Sequence, residues 1–434
     1  FLSTKTAFLV LKGYHFFFTI TMIHSFALFV IFLLFIHIFP YNRIKRKGIR
    51  IGASVSSVCL SVLIVLQFGN IKAETFDLNG VSRNGLFLNF CKLFEQLRID
   101  KPEEYSLDLV EQIATPYVLE SKVNPEDTNH SDIIVIMNES FADFDCLGNG
   151  LQTNQNVIPF VKSLTENTIR GYALSSVFGG GTPNSEYEVL TGNSLMFLPN
   201  GVIPYQQYLD GSVYSMVSVL KDLGYKTIGM HPFRPGCWQR SRVYPLLGFD
   251  ETYFVNDFPQ KDLMRSFVSD QEMYDFLLTK YKESINAEEE NVFIWSVTMQ
   301  NHGSYDVSFS ESDLLYQREN WEININNWNG EGYQEAEQYL TCIHESDNAI
   351  KYLIEELKTI DRNITVLFYG DHHPKLSNEF YEMVHNGEFD TLDEKQKQYI
   401  VPFFIWTNYE SEENTIDLTS LNYISSYLFG NLSI

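Results

Sequence analysis

The chain has 434 residues, more than one compact domain usually holds, with 31 Lys and Arg against 55 Asp and Glu and a net charge of −24. The charge is unevenly spread: residues 1–70 carry seven basic side chains and no Asp or Glu, which leaves 24 basic against 55 acidic groups in the remainder. That acidic remainder excludes a nucleic-acid binder, because phosphate backbones are held by clustered Lys and Arg. The five cysteines (Cys59, Cys91, Cys146, Cys237, Cys342) are odd in number, scattered and without a C-x-x-C pair. They form neither a disulfide framework nor a zinc cluster and read as lone buried thiols.

From His15 to Phe39 no side chain is formally charged, and 25 helical residues at about 1.5 Å each can cross a bilayer. A second apolar run, Ile51 to Phe68, meets the lower limit for spanning and is diluted by Ser54, Ser56, Ser57 and Ser61. Between them lies a basic loop, residues 42–50, with Arg43, Lys45, Arg46, Lys47 and Arg50. The excess of positive charge assigns that loop to the cytoplasm and everything after Phe68 to the outside. The expectation is therefore a transmembrane region over 1–70, multi-pass, in the cell membrane. The chain opens in apolar sequence without an initiator Met, which leaves open further spans upstream.

Residues 71–130 read as a juxtamembrane segment. Leu86, Phe87, Phe90, Leu93, Phe94 and Leu97 recur at helical spacing and predict an amphipathic helix that lies on lipid or docks on the globular part; the sequence does not choose. Lys101 to Ser131 is charged and holds Pro102, Pro116 and Pro125, the mark of a linker.

Residues 131–434 alternate short apolar runs with longer amphipathic ones, the pattern of an α/β sandwich. Strands are predicted over Ile133–Met137, Lys226–Met230, Val292–Val297, Ile364–Tyr369 and Pro402–Trp406. Helices are predicted over Tyr208–Leu223, Gln271–Tyr281 and Glu335–Leu357. Glu139 and Ser140 follow the first strand, His231 the second, Asn301 and His302 the third, Asp371 and His372 the fourth. Open α/β sheets bind ligands beyond the carboxyl ends of their strands, so four strands deliver metal-binding or acid-base groups to one edge.

The segment Gly179-Gly180-Gly181-Thr182-Pro183 reads as a flexible loop entering a helix, with Thr182 as N-cap and Pro183 at the first helical position. No Gly-Lys-Ser/Thr follows, so it is not a P-loop. Free backbone N–H groups and the helix dipole there would favour a phosphate beside a hydroxyl able to attack it. A threonine hydroxyl needs a base or a metal to lose its proton near neutral pH. A cation bound by Glu139, Asp371 and His372, with Thr182 as a further ligand, meets that need. Oxygen ligands with one imidazole suit Mn²⁺ or Mg²⁺ and admit Zn²⁺.

Asn138-Glu139-Ser140, the glycine run before Thr182 with Glu186 four residues on, His231 with Trp238 and Arg240, Asn301-His302, and Tyr369-Gly370-Asp371-His372 together resemble the lipoteichoic acid synthase and phosphoglycerol transferase family, within the alkaline phosphatase and sulfatase superfamily. The resemblance covers about residues 71–434. It implies a sandwich with a mixed central sheet flanked by helices, preceded by transmembrane helices, and a catalytic domain outside the cytoplasm. It implies one cation, usually manganese, on Glu139, Thr182, Asp371 and His372, with Thr182 as nucleophile. His302, Trp238 and Arg240 then hold the phosphoglycerol head group, with His231 beside them, and His302 is the acid or base. The implied donor is phosphatidylglycerol; the implied acceptor is a hydroxyl of a glycerol phosphate polymer or a glycan. Phosphoethanolamine transferases and hydrolases of the sulfatase or phosphodiesterase type are the rival readings. Phe233 departs from the family, whose best-known members have an acidic residue there, and Gln239 stands where Asn is common. The early end after the last predicted strand leaves open whether C-terminal elements of the domain are missing.

Overall fold

In a computed structural model of the chain, the described residues are 101–120 (side chains to 115), 131–259, 262–287, 291–305, 321–432 and 434, with isolated positions before residue 101. The two expected spans and the basic loop lie almost entirely outside them, as does the amphipathic segment 86–97. Among the described residues no helix is long and apolar enough to cross a membrane. The chain divides into two units, Phe1–Asp100 with Pro199–Val202, and Lys101–Leu198 with Ile203–Ile434. The sheet and every candidate site residue belong to the second.

Its strands are β1 (Asp132–Asn138), β2 (Thr168–Leu174), β3 (Tyr225–His231), β4 (Glu251–Phe254), β5 (Leu263–Met264), β6 (Phe267–Val268), β7 (Asn291–Val297), β8 (Ile364–Gly370), β9 (Ile400–Thr407) and β10 (Asn414–Ser420). The principal helices are α1 (Leu107–Glu120), α2 (Thr182–Thr191), α3 (Met216–Asp222), α4 (Arg240–Leu247), α5 (Asp270–Asn286), α6 (Tyr333–Leu357), α7 (Asn378–His385) and α8 (Leu421–Leu432). Eight strands form one sheet in the order β10-β2-β9-β8-β1-β7-β3-β4, and β5 and β6 form a separate hairpin. Strands β8, β1, β7, β3 and β4 run parallel, whereas β9 is antiparallel to both β8 and β2. The sheet is therefore mixed.

All five predicted strands are present, each one or two residues longer than its apolar run at one end or both. They were legible because both faces of the central strands are covered, which requires an unbroken apolar run. In β1, Ile134 and Ile136 join the core built by Tyr274 and Leu277 of α5 and Leu340, Ile343 and Leu353 of α6. Ile133, Val135 and Met137 join the opposite core, with Val217, Leu220, Val243, Leu247 and Leu428. Each such side chain removed from water contributes roughly 1.5–3 kcal/mol, so Leu353→Ala, buried near the carboxyl end of α6, should cost about 2–5 kcal/mol.

Two helix expectations change. The predicted helix Tyr208–Leu223 shrinks to α3, because Ser215 caps it reciprocally with Ser218 and fixes the start there. Within the expected linker, α1 forms a helix that exposes Leu107, Val110 and Ile113. Of the described cysteines, Cys237 and Cys342 are buried, Cys146 is half-buried and Cys59 is exposed.

Candidate active site

The carboxyl ends of β1 and β8 lie side by side, with Asn138 paired to Gly370 in register. Their next residues, Glu139 and Asp371, therefore leave the sheet together. Gly370 makes this close exit possible: a Cβ there would collide with the carbonyl oxygen of Phe141 on the loop leaving β1. The two loops are tied by the Ser140 N–H, which donates to Asp371 Oδ1 at 2.7 Å, and the Glu139 N–H donates to Thr298 Oγ1 at 3.1 Å.

Thr182 reaches this edge on the first turn of α2. It occupies the first helical position rather than the cap: Gly181, at a φ of 96° that a glycine adopts without strain, is the cap residue. The shift by one residue matters, because a capping threonine spends its oxygen on the backbone. Here the Thr182 hydroxyl instead donates to Glu139 Oε2 at 3.1 Å. Ser175 and Ser185 both donate to the Asp371 carbonyl, at 2.7 and 2.8 Å, and so dock α2 onto the β8 exit.

Glu139, Asp371 and His372 are buried and offer ligand atoms within 4.8 Å of one another. His372 Nδ1 faces the His373 carbonyl at 2.9 Å, an acceptor, so Nδ1 carries a proton and the lone pair of the neutral ring is on Nε2. That Nε2 points at Asp371 Oδ2 at 3.2 Å and Glu139 Oε1 at 3.7 Å. Among the described residues neither His372 Nε2 nor Asp371 Oδ2 has a hydrogen-bond donor. Electron-rich atoms converging in a buried place call for a positive charge between them, a proton or a metal ion. Burial and the Glu139 charge push the Asp371 carboxyl up to about 7. Burial opposes charging of His372, yet Asp371 and Glu139 outweigh it and raise the imidazole. The donor set fits a divalent cation held by two carboxylates and one imidazole, with the Thr182 oxygen against one carboxylate.

A second cluster adjoins the first through α2. Glu186, one turn after Thr182, accepts from Arg240 Nε at 2.9 Å and Nη2 at 2.5 Å, and its other oxygen accepts from Tyr244 at 2.8 Å. Arg240 Nη1 donates to His231 Nε2 at 3.0 Å, while His231 Nδ1 donates to the Val297 carbonyl at 3.1 Å. Burial, reinforced by Arg240 and by His302, holds His231 well below the ordinary imidazole range, so it is neutral with both nitrogens engaged. Arg240 is itself buried, and Glu186 outweighs the cost of burial and keeps it charged. Trp238 and Gln239 precede α4 in left-handed conformations, φ 51° and 62°; Trp238 packs partly buried against the core.

His302 lies exposed on the loop after β7, near enough to His231 to act on it electrostatically. Its Nδ1 meets the Gly303 carbonyl at 2.5 Å, which leaves the lone pair of the neutral ring on Nε2. The Phe267 ring lies 5.6 Å away, and Phe233 lies 6.2 Å from both Phe267 and His231. His373, whose carbonyl holds the His372 ring, turns its own ring away from Glu139 and Asp371 toward other partners. It is buried, donates from Nε2 to the Ile400 carbonyl at 2.7 Å and packs edge-on to Phe144, and burial brings it down to about 4.

Sequence reasoning missed the polar layer beneath the site. Asp270 Oδ2 accepts from Asn138 at 2.7 Å and Ser346 at 2.6 Å, and Asn301 donates to Asn138 Oδ1 at 2.9 Å. Asp270 follows the N-cap Ser269 and so reads in sequence as an ordinary first-turn acid.

Sheet and cluster define an α/β protein with a candidate divalent-metal site at its carboxyl edge. The chain belongs to the sulfatase family, whose model matches residues 131–431, in a superfamily of metal-dependent transferases and hydrolases. The capsular polysaccharide biosynthesis protein RkpI of Rhizobium meliloti is 29% identical over 255 residues, 57% of this chain and 42% of that protein. A second Rhizobium meliloti protein, named as a candidate cyclic beta-1,2-glucan modification protein, is 27% identical over 351 residues, 79% of this chain and 51% of its own length. The chain thus spans about half the length of the curated relatives it matches. The fold is shared with Streptococcus pyogenes phosphoglycerol transferase GacH, solved with sn-glycerol-1-phosphate (TM-score 0.64, 24% identity, 77% of this chain and 84% of that one). It is shared also with the lipoteichoic acid synthase LtaP of Listeria monocytogenes (TM-score 0.58, 21% identity, 74% and 78%).

Proposed function

We propose that this chain is a membrane-anchored phosphoglycerol transferase, its catalytic domain outside the cytoplasm, moving glycerol phosphate from phosphatidylglycerol to a hydroxyl of a glycerol phosphate polymer or a glycan. The observation that carries the reading is the Thr182 hydroxyl donating to Glu139 within a buried group that also holds Asp371 and His372. An inert scaffold has no reason to bury a hydroxyl against such a set, since each buried, unpartnered polar atom costs about 1–3 kcal/mol. The names of the relatives, which speak of glucan modification, capsular polysaccharide biosynthesis and phosphoglycerol transfer, support the substrate class.

In this reading Glu139, Asp371, His372 and Thr182 hold one divalent cation, manganese by our assignment, which supplies positive charge for the hydroxyl's deprotonation and for the phosphate oxygens. Thr182 Oγ1 attacks phosphorus, its proton leaving along the bond to Glu139 Oε2. The phosphorus–oxygen bond to diacylglycerol breaks, and His302 in its imidazolium form, with a second proton on Nε2, protonates the departing alkoxide. An acceptor alcohol then gives its proton to the now neutral His302 Nε2 and attacks phosphorus, the bond to Thr182 Oγ1 breaks, and that oxygen recovers its proton from Glu139. Trp238 and His231 lie against the head group. Arg240, paired to Glu186, holds α2 and hence Thr182 in place, and the N–H groups on Nη1 and Nη2 not used by Glu186 and His231 are left for the phosphate oxygens.

The test offers the purified chain radiolabelled phosphatidylglycerol or phosphatidylethanolamine in mixed micelles with Mn²⁺. Diacylglycerol released from phosphatidylglycerol alone is the expected result. Release from the ethanolamine lipid alone would make the chain a phosphoethanolamine transferase. Free glycerol phosphate without transfer to any acceptor would make it a hydrolase.

A further inference from the structure

The hairpin of β5 and β6 pairs Leu263 with Val268 and Met264 with Phe267, so its turn is just Arg265 and Ser266. Both lie at positive φ, 52° and 65°. Turns of this kind favour Asn-Gly, since an L side chain in the left-handed region costs roughly 1–2 kcal/mol. Turn tips also usually point their side chains at water. Arg265 does neither: it takes the strained position and is fully buried.

Its guanidinium explains why. Nη1 donates to the carbonyl of His302 at 3.0 Å and of Gln300 at 3.4 Å, and Nη2 donates to the carbonyl of Ser304. Nε donates to Gln338 Oε1 on α6 at 3.1 Å, and the guanidinium carbon lies 4.6 Å from the centre of the Tyr305 ring. Three alternate carbonyls of one loop thus converge on one planar fork, which a point-charge ammonium cannot reproduce. The clamp continues towards the cluster: Tyr305 donates to the Asn301 carbonyl at 2.6 Å and packs against Tyr339, which donates to the Ser140 carbonyl at 2.7 Å. On the outer side of the hairpin, Phe267 rests against the His302 ring. The exposed imidazole is therefore fixed through its backbone by Arg265 and through its ring by Phe267.

We propose that Arg265 is a positioning residue, setting the place of His302 relative to Thr182 while remaining outside the reaction itself. The inference rests on the reading of His302 as the proton-transfer group. Misplacing a catalytic group by about 1 Å can cost on the order of a hundredfold in rate.

The test uses the full chain with R265M, R265K, H302A and R265M/H302A. Turnover of phosphatidylglycerol is measured beside Mn²⁺ affinity by calorimetry. R265M should lower kcat by about ten- to a hundredfold with KM for the lipid and Mn²⁺ affinity within about twofold, and R265K should recover part of the loss. In the H302A background R265M should cost nothing further, because its effect runs through the missing imidazole. A general folding defect would multiply the two losses, and that outcome overturns the inference. Should R265M bind no Mn²⁺, R265K and R265K/H302A carry the same comparison. Normal loss in H302A with none in R265M or R265K overturns the positioning role alone; full turnover in H302A overturns the reading of His302 as well.

Discussion

Thr182 and Glu139, 43 residues apart, share a hydrogen bond of 3.1 Å inside a buried site. The bond exists because Gly181 takes the capping position and frees the threonine side chain from the α2 backbone. A hydroxyl so placed has its proton directed at a carboxylate, and the account of the chemistry depends on that direction.

Thr182→Ala should lower turnover by at least about a thousandfold, as expected when a nucleophile is deleted. Mn²⁺ affinity should fall much less, since Glu139, Asp371 and His372 remain. Thr182→Ser should keep a measurable fraction of the rate. Steady-state kinetics and calorimetry on the same preparations check all three.

The cation and the proton should compete for Asp371. Its carboxyl sits at about 7 in the metal-free chain, against an ordinary value of 3.8. A raised value means that the native chain holds a proton which the unfolded chain has released between about pH 4 and 7. This contribution to metal-free stability is complete below pH 4 and is lost as pH rises through 7. Metal binding expels that proton, so the rise in Tm on adding Mn²⁺ should grow with pH up to about 7 and then level off. Differential scanning calorimetry across pH checks it; an increment that shrinks as pH rises to 7 would contradict the site.

Glu186 and Arg240 form an ion pair that is almost wholly buried. Removing one partner strands the other charge, so Glu186→Leu should destabilise the chain by about 3–5 kcal/mol in urea unfolding. Glu186→Leu with Arg240→Met should recover most of that stability. Activity should stay low in both, because α2 loses its link to His231.

The Asp270 carboxylate ties the end of β1 to α6 beneath the site, through Asn138 and Ser346, and burial pushes it up to about 6. The sign is that of Asp371: its contribution is present below pH 4 and lost as pH rises through 6. Asp270→Asn keeps an acceptor for Asn138 and Ser346 and cannot ionise. Relative to the parent, its stability should therefore improve as pH rises from about 4 to 6 and hold steady above. Parallel denaturation curves at several pH values provide the comparison.

The central sheet was readable because β1, β7 and β8 are buried on both faces and must be apolar throughout. Strands β2 and β10 were not: β2 carries Thr168, Arg170 and Gly171, and edge strand β10 is mostly exposed, so neither shows an apolar run. Glu139, Asp371 and His372 could be found because each follows a recognisable strand. Thr182 was placed one position off, since only the backbone at Gly181 separates a capping threonine from one on the first turn. Arg265 and Asp270 carry no local signal: each acts through groups far away in sequence that the fold alone brings near.

The most direct test of the central claim is intact-protein and peptide mass spectrometry of the chain quenched during turnover of phosphatidylglycerol, with no acceptor added so that release from the threonine is slow. The expected product is one added glycerophosphoryl group on the peptide containing Thr182. An adduct on another residue, or continued turnover by Thr182→Ala with none anywhere, would contradict it.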